Sequence, residues 1–154
     1  MKGFRVTGTF ADARQGRQPF CVEIAADDEA AAKEQIVSTH RIIIALGSNH
    51  HQAAHILWAS ERMRTLLNDC RLSRTLWTSD IKGTGKWYMN RLVCGTTDLS
   101  EEALQQLLKE IECATGRTKE RVTIDLDLMQ YDSQRHHEKD WQRPYIQNII
   151  HDIL

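Results

Sequence analysis

The chain has 154 residues, with 20 Lys and Arg against 21 Asp and Glu, a formal net charge of −1, and 41% hydrophobic and 27% charged residues. That balance is ordinary for a folded protein with enough chain for one core domain and a small appendage, and it offers no basic field for nucleic acid. The longest apolar run, Ile42 to Leu46, is far too short to span a bilayer, and no charged-then-apolar secretory pattern is expected at the N-terminus.

In chain order, residues 1–39 form a separate pattern. Phe4, Val6, Gly8 and Phe10 alternate with Arg5, Thr7 and Thr9, which predicts a strand. Gln15-Gly16-Arg17 supplies a turn, and Phe20, Val22 and Ile24 predict a second strand. Asp27 and Asp28 then cap an alanine-rich helix to about Val37. A strand–strand–helix unit this small holds little core of its own, so it is expected as an accessory module, with a second unit over 40–154.

Arg41–Leu46 is a β-branched strand, followed by the turn Gly47-Ser48-Asn49 and a helix from about His50 to Asn68. Arg71–Thr78 predicts a strand, 79–87 a polar loop with glycines, and Tyr88–Thr97 another strand. Ser100, with Glu101 and Glu102 behind it, caps a helix carrying Leu104, Leu107, Leu108 and Ile111, which Gly116 ends. Val122–Met129 is a strand by alternation, and a short helix from Pro144 to about Ile153 closes the chain. The order strand, helix, strand, strand, helix, strand gives the α+β class and a ferredoxin-like βαββαβ core, with an antiparallel sheet and both helices on one face. Ile124, Leu126 and Leu128 would then pack under the helices, and Asp125 and Asp127 would point to the opposite, open face.

Those two aspartates are the most informative residues. Same-face residues in a strand lie roughly 7 Å apart. Two carboxylates held so close on a rigid strand either form a solvated charged face or seat one or two divalent metal ions that carry phosphates. The cysteines, Cys21, Cys70, Cys94 and Cys113, form no C-x-x-C pair, so reduced, partly buried thiols in a cytoplasmic protein are expected.

Four pieces stand in order: Ala45-Leu-Gly-Ser-Asn49 after the first strand of the second unit, Tyr88-Met-Asn90 opening a later strand, Ile111-Glu-x-x-x-Gly-Arg117 ending a helix, and Ile124-Asp-Leu-Asp-Leu-Met129. Together they make residues 41–146 resemble the 6-hydroxymethyl-7,8-dihydropterin pyrophosphokinases of folate biosynthesis. The resemblance implies transfer of pyrophosphate from ATP to the hydroxymethyl group of a reduced pterin, with Asp125 and Asp127 holding two Mg2+ ions on the phosphates. It implies that Asn90, Tyr88 and Tyr145 meet the pterin and that Gly47, Ser48 and Asn49 help to build its pocket. Glu112, His137 and Arg143 fall at nucleotide-contacting positions, with His136 beside His137 as a competing histidine. Arg117, Lys119 and Arg121 are the cations at hand for the phosphates, Arg117 and Arg121 with a catalytic role; their other reading is a solvated charged turn.

The chain also departs from that pattern. Val122 stands where the family places an arginine, three residues before the first aspartate. The 117–125 segment is several residues shorter and has no tryptophan, and no proline-rich segment precedes Tyr88. A homologue that binds nucleotide or pterin without transfer, or serves as an interaction protein, is therefore the alternative. Gly83-Thr84-Gly85-Lys86 lacks phosphate-loop spacing and reads as a hairpin loop. His50, His51 and His55 read as exposed histidines, and the four tryptophans, Trp58, Trp77, Trp87 and Trp141, as core by default, with pocket walls as the alternative. Residues 1–39 resemble a small archaeal-type large-subunit ribosomal protein through Phe4-Arg-Val-x-Gly, Gln18-Pro-Phe20, the acidic-alanine helix and the junction Ser38-Thr-His-Arg41, but without a dense basic surface RNA binding is not carried over.

Overall fold

A computed structural model describes residues 2–12, 16–30 and 39–154. The chain divides into two compact units, Met1–Thr39 and His40–Leu154. In the first, β1 (Lys2–Asp12) and β2 (Gly16–Ala26) pair antiparallel in unbroken register from Lys2↔Ala26 to Asp12↔Gly16. Gly16 and Arg17, expected in the turn, already belong to the ladder; Gln15 and most of the expected helix to Val37 lie outside the described residues. Arg5 and Glu23 face each other across the ladder at 3.1 Å, an exposed pair of small energetic weight.

The second unit is α+β. It runs β3 (His40–Ser48), α1 (Gln52–Leu66), β4 (Asn68–Leu72), β5 (Leu76–Ser79), β6 (Trp87–Thr97), α2 (Glu101–Ala114), β7 (Asp125–Tyr131), β8 (Gln134–Arg135) and α3 (Pro144–Ile149), with 3-10 turns before and after α3. The sheet order is β4-β6-β3-β7-β8, with β5 on β6, and every pairing is antiparallel. Helix α2 begins where its cap sequence says, the Ser100 side chain accepting from Ala103 N. Helix α1 has no side-chain cap; its N-terminal residue, His51, is left-handed at φ 45°.

On one face of the sheet, Ile42, Ile44, Leu46, Ile124, Leu126 and Leu128 pack against Ile56, Ala59 and Met63 of α1 and Leu104 and Leu108 of α2. Each buried isoleucine, leucine or methionine among them contributes roughly 1.5–3 kcal/mol. A one-residue slip of β7 would bury both aspartates and expose the leucines, so the core sets which way the acids point.

Three expectations need correction. The single strand over Arg71–Thr78 is two strands, broken at Ser73. Ser73 is buried; its N–H donates to Leu92 O and its Oγ accepts from Leu92 N, both at 2.9 Å, which turns the chain onto the first residues of β6, Trp87 to Asn90. The strand expected from Val122 begins at Asp125, because the Val122 N–H is taken at 2.9 Å by the Asn49 side chain. The far face of the sheet is only half open: Trp141, Ile146, Ile149, Ile150 and Ile153 cover Ile43, Leu92 and Met129 there. A register shift between Ile43 and Ile44 opposite β7 accompanies two consecutive buried residues, Leu128 and Met129, one in each core. All four cysteines are free, Cys21 and Cys113 exposed and Cys70 and Cys94 half-buried. Of the tryptophans only Trp141 is buried; Trp77 and Trp87 are more than half exposed.

Candidate active site

The uncovered half of the far sheet face carries a cavity of about 580 Å³, within the usual range for a small-molecule site. Its floor is β3, β6 and β7. Asp125 pairs with Gly47 and Asp127 with Ala45, so the smallest residues of β3 lie beside the two acids and leave the room above them. A Cβ on Gly47 would stand 3.6 Å from Asn90 Oδ1 and 3.8 Å from the Tyr88 ring, inside that room.

The acids are not equivalent. Asp127 is pushed up to about 6, first by burial and then by the charge of Asp125. Its nearest described basic side chain is the His137 imidazole, Nε2 at 3.8 Å, beyond hydrogen-bond distance. Asp125 Oδ1 meets Arg117 Nη1 at 2.9 Å, and the same nitrogen lies 3.0 Å from Glu112 Oε2. Glu112 Oε1 accepts from Leu126 N at 2.7 Å, which ties the last turn of α2 to the strand between the two aspartates. Burial raises the Glu112 carboxyl, the backbone bond and Arg117 acting against it. Two carboxylates, Glu112 and Asp125, thus share one guanidinium, and Asp127 is left under-neutralised. That donor set, hard oxygens on one strand face with an unsatisfied charge, fits a divalent cation such as magnesium. Asp127, His137 and Asp140 also bring ligand atoms within 4.8 Å of one another.

On the other side of the cavity, Asn90 is 6% exposed. Its Nδ2 donates to Thr78 Oγ1 at 2.8 Å and Leu76 O at 3.3 Å, which fixes the orientation of the amide. Its Oδ1 takes no hydrogen bond among the described residues and stands as a spare acceptor beside the cavity floor. Tyr88 and Tyr145 both line the cavity, and burial raises both hydroxyls. Arg143 enters from the turn before α3, its Nε held at 2.6 Å by Asp140 Oδ1.

Of the residues singled out in the sequence, the cavity brings together Gly47, Tyr88, Asn90, Asp125, Asp127, Arg143 and Tyr145. It does not bring Ser48 or Asn49 into its lining. Ser48 is fully buried, its Oγ donating to His50 O at 3.1 Å. Asn49 is committed at both ends: Oδ1 accepts from Val122 N at 2.9 Å, and Nδ2 donates to Tyr88 Oη at 3.1 Å. It therefore clips the 117–125 segment to the cavity wall. Glu112, expected near the nucleotide, sits behind Asp125, and Arg117 sits with it. Lys119 and Arg121 are exposed and outside the lining, Arg121 near enough to His50 to add to the burial that lowers its imidazole. His137 is the histidine on the Asp127 side; His136 is turned to Glu101 at 2.6 Å.

Trp77 and Trp87 line the cavity, as pocket walls rather than core; Asp140 and Ile81 also line it and were not anticipated. Asp140 had a legible signal, since it stands three residues after His137 and three before Arg143. The Gly83–Gly85 stretch is a hairpin loop between β5 and β6, with Asp80 N donating to Lys86 O at 2.9 Å.

No curated protein matches the chain. A sequence model of the family 7,8-dihydro-6-hydroxymethylpterin-pyrophosphokinase matches residues 43–154, which contain the whole cavity. With the match covering well over half of its length, the chain belongs to the 7,8-dihydro-6-hydroxymethylpterin-pyrophosphokinase family.

Proposed function

We propose that residues 40–154 transfer pyrophosphate from ATP to the hydroxymethyl group of 6-hydroxymethyl-7,8-dihydropterin. The observation that carries this reading is the pair Asp125 and Asp127 on the floor of the same cavity that presents the spare Asn90 Oδ1. Asn90 Oδ1 accepts an N–H from the edge of the pterin, while Tyr88 and Tyr145 offer aromatic surface to its flat ring. Asn49 acts at one remove, by holding the Tyr88 hydroxyl and the Val122 backbone. Asp125 and Asp127 would hold two magnesium ions, which supply charge neutralisation on the phosphates. Arg143, held by Asp140, faces the phosphates from the opposite side, and His137 reaches toward the nucleotide. The substrate hydroxyl oxygen bonds to the β-phosphorus, the bridge to the α-phosphorus breaks, AMP leaves with the bridging oxygen, and the hydroxyl proton passes to solvent. Positioning and charge are the main demands of such a step, and the cavity supplies both.

The sheet order β4-β6-β3-β7 supports a ferredoxin-like core for this unit. Residues 1–39 are read as an accessory module, and the chain as cytoplasmic; no helix among the described residues is long and apolar enough to cross a membrane. A second reading, binding without transfer, draws on Val122 and on the exposure of Arg121, which leave few cations on the phosphate side. Incubation with ATP, Mg2+ and the reduced pterin decides between them. Pterin-dependent release of AMP is expected; nucleotide binding with no AMP would favour the second reading and overturn the first.

A further inference from the structure

We propose that Arg117 competes with divalent metal for Asp125, so that metal binds this site productively only in company with the nucleotide. The inference rests on the reading of Asp125 and Asp127 as the seat of the metal–nucleotide complex. It starts from one nitrogen: Arg117 Nη1 lies 2.9 Å from Asp125 Oδ1 and 3.0 Å from Glu112 Oε2. The three side chains are only 33%, 34% and 15% exposed, so water does not fully screen them. Glu112 cannot follow a departing Arg117, because its other oxygen is bonded to Leu126 N at 2.7 Å. The backbone before Arg117 is constrained as well: Gly116 is left-handed at φ 74°, and its N–H donates to Cys113 O at 3.1 Å.

A guanidinium and a magnesium ion that share the Asp125 carboxylate repel each other at close range, so metal binds there at a cost while Arg117 stays on Oδ1. Metal alone must therefore bear that repulsion or break the Arg117 pair, with nothing to offer the displaced guanidinium. Metal arriving on a triphosphate brings phosphate oxygens, which a guanidinium takes in forked geometry as well as it takes a carboxylate. Arg117 then passes from Asp125 to the phosphates, while Glu112 keeps the strand in place. Asp127 has no such partner among the described residues, His137 being 3.8 Å away, so the masking is one-sided.

The test is Mn2+ binding to the full chain, read by electron paramagnetic resonance, for the wild type, Arg117→Gln and Arg117→Met, with folding checked by circular dichroism. Without nucleotide, both variants are expected to bind Mn2+ about thirtyfold tighter than wild type, the worth of removing one unit charge at about 4 Å from a divalent ion even under full water screening. With α,β-methylene-ATP present, that advantage is expected to vanish or reverse. On the unmutated chain, the Arg117 Nε–H resonance is expected to move on adding Mg2+ with the analogue, and not with the same Mg2+ alone. Equal or weaker Mn2+ affinity of folded variants without nucleotide, or movement of the resonance by metal alone, would overturn the proposal while leaving the site reading intact. Absence of Mn2+ binding to wild type even with the analogue would overturn both.

Discussion

At the residue scale, Asp127 is a carboxylate held against its preference. Burial and the neighbouring Asp125 raise it to about 6 in the folded protein, against an ordinary value near 3.8. A carboxyl raised on folding binds more protons in the folded chain than in the unfolded one, so stability falls as pH rises from about 4 to 6 and stays lowered above. Asp127→Asn removes that penalty. Its melting temperature without metal should exceed wild type at pH 7.5, with the gain gone below about pH 4; after discounting for its partial exposure the gain is ~1 kcal/mol. A melting temperature equal to or below wild type at pH 7.5 would remove the case for Asp127 as an under-neutralised acid. The same variant should lose pyrophosphate transfer. Asn49 illustrates what one residue hides. Its place in a turn is visible in the sequence, but its two bonds go to Val122 and Tyr88, which are 73 and 39 positions away, and no local pattern announces them.

At the element scale, the C-terminal segment does double duty. Ile146, Ile149, Ile150 and Ile153 cover one half of the sheet face, and the same segment brings Arg143 and Tyr145 to the other half. Ile149→Ala should cost about 2–4 kcal/mol, as for a fully buried aliphatic side chain, and should raise the KM for the pterin more than that for ATP because Tyr145 loses its footing. Equal rises in both constants would show that the segment supports the fold alone. The helix–strand order was legible because the 3.6 and 2.0 periodicities are strong in α2 and β7 and because Ser100 and Gly116 mark the ends of α2. The break between β4 and β5 was not, since it depends on Ser73 bonding Leu92 across the sheet. Nor was the partial covering of the far face, although the isoleucine spacing after Pro144 hinted at a packed surface. The acid pair was legible because alternation alone decides which side of β7 it occupies; the guanidinium against it was not, because Glu112, Arg117 and Asp125 converge from a helix end, a turn and a strand.

At the scale of the whole molecule, both cores of the second unit draw, among the described residues, on residues 42–153. The chain cut to 40–154 should therefore unfold in one cooperative transition and keep the AMP-releasing activity of the full protein within about twofold, which thermal melts and a coupled AMP assay would measure. Loss of cooperative melting on removing 1–39 would make that unit part of the fold rather than an accessory. The 117–125 segment is pinned by Asn49 at Val122, by Thr115 to Thr123 at 2.7 Å and by Lys86 to the Glu120 carbonyl, so the cavity is largely formed before any ligand enters. A crystal structure of the full chain with Mg2+, α,β-methylene-ATP and the reduced pterin puts this account to its most direct trial. It predicts metal density about 2.1 Å from oxygens of both Asp125 and Asp127, bridging to the phosphates, with the pterin edge on Asn90 Oδ1. Phosphates lying elsewhere, or Arg117 still paired with Asp125 and no metal between the acids, would contradict it.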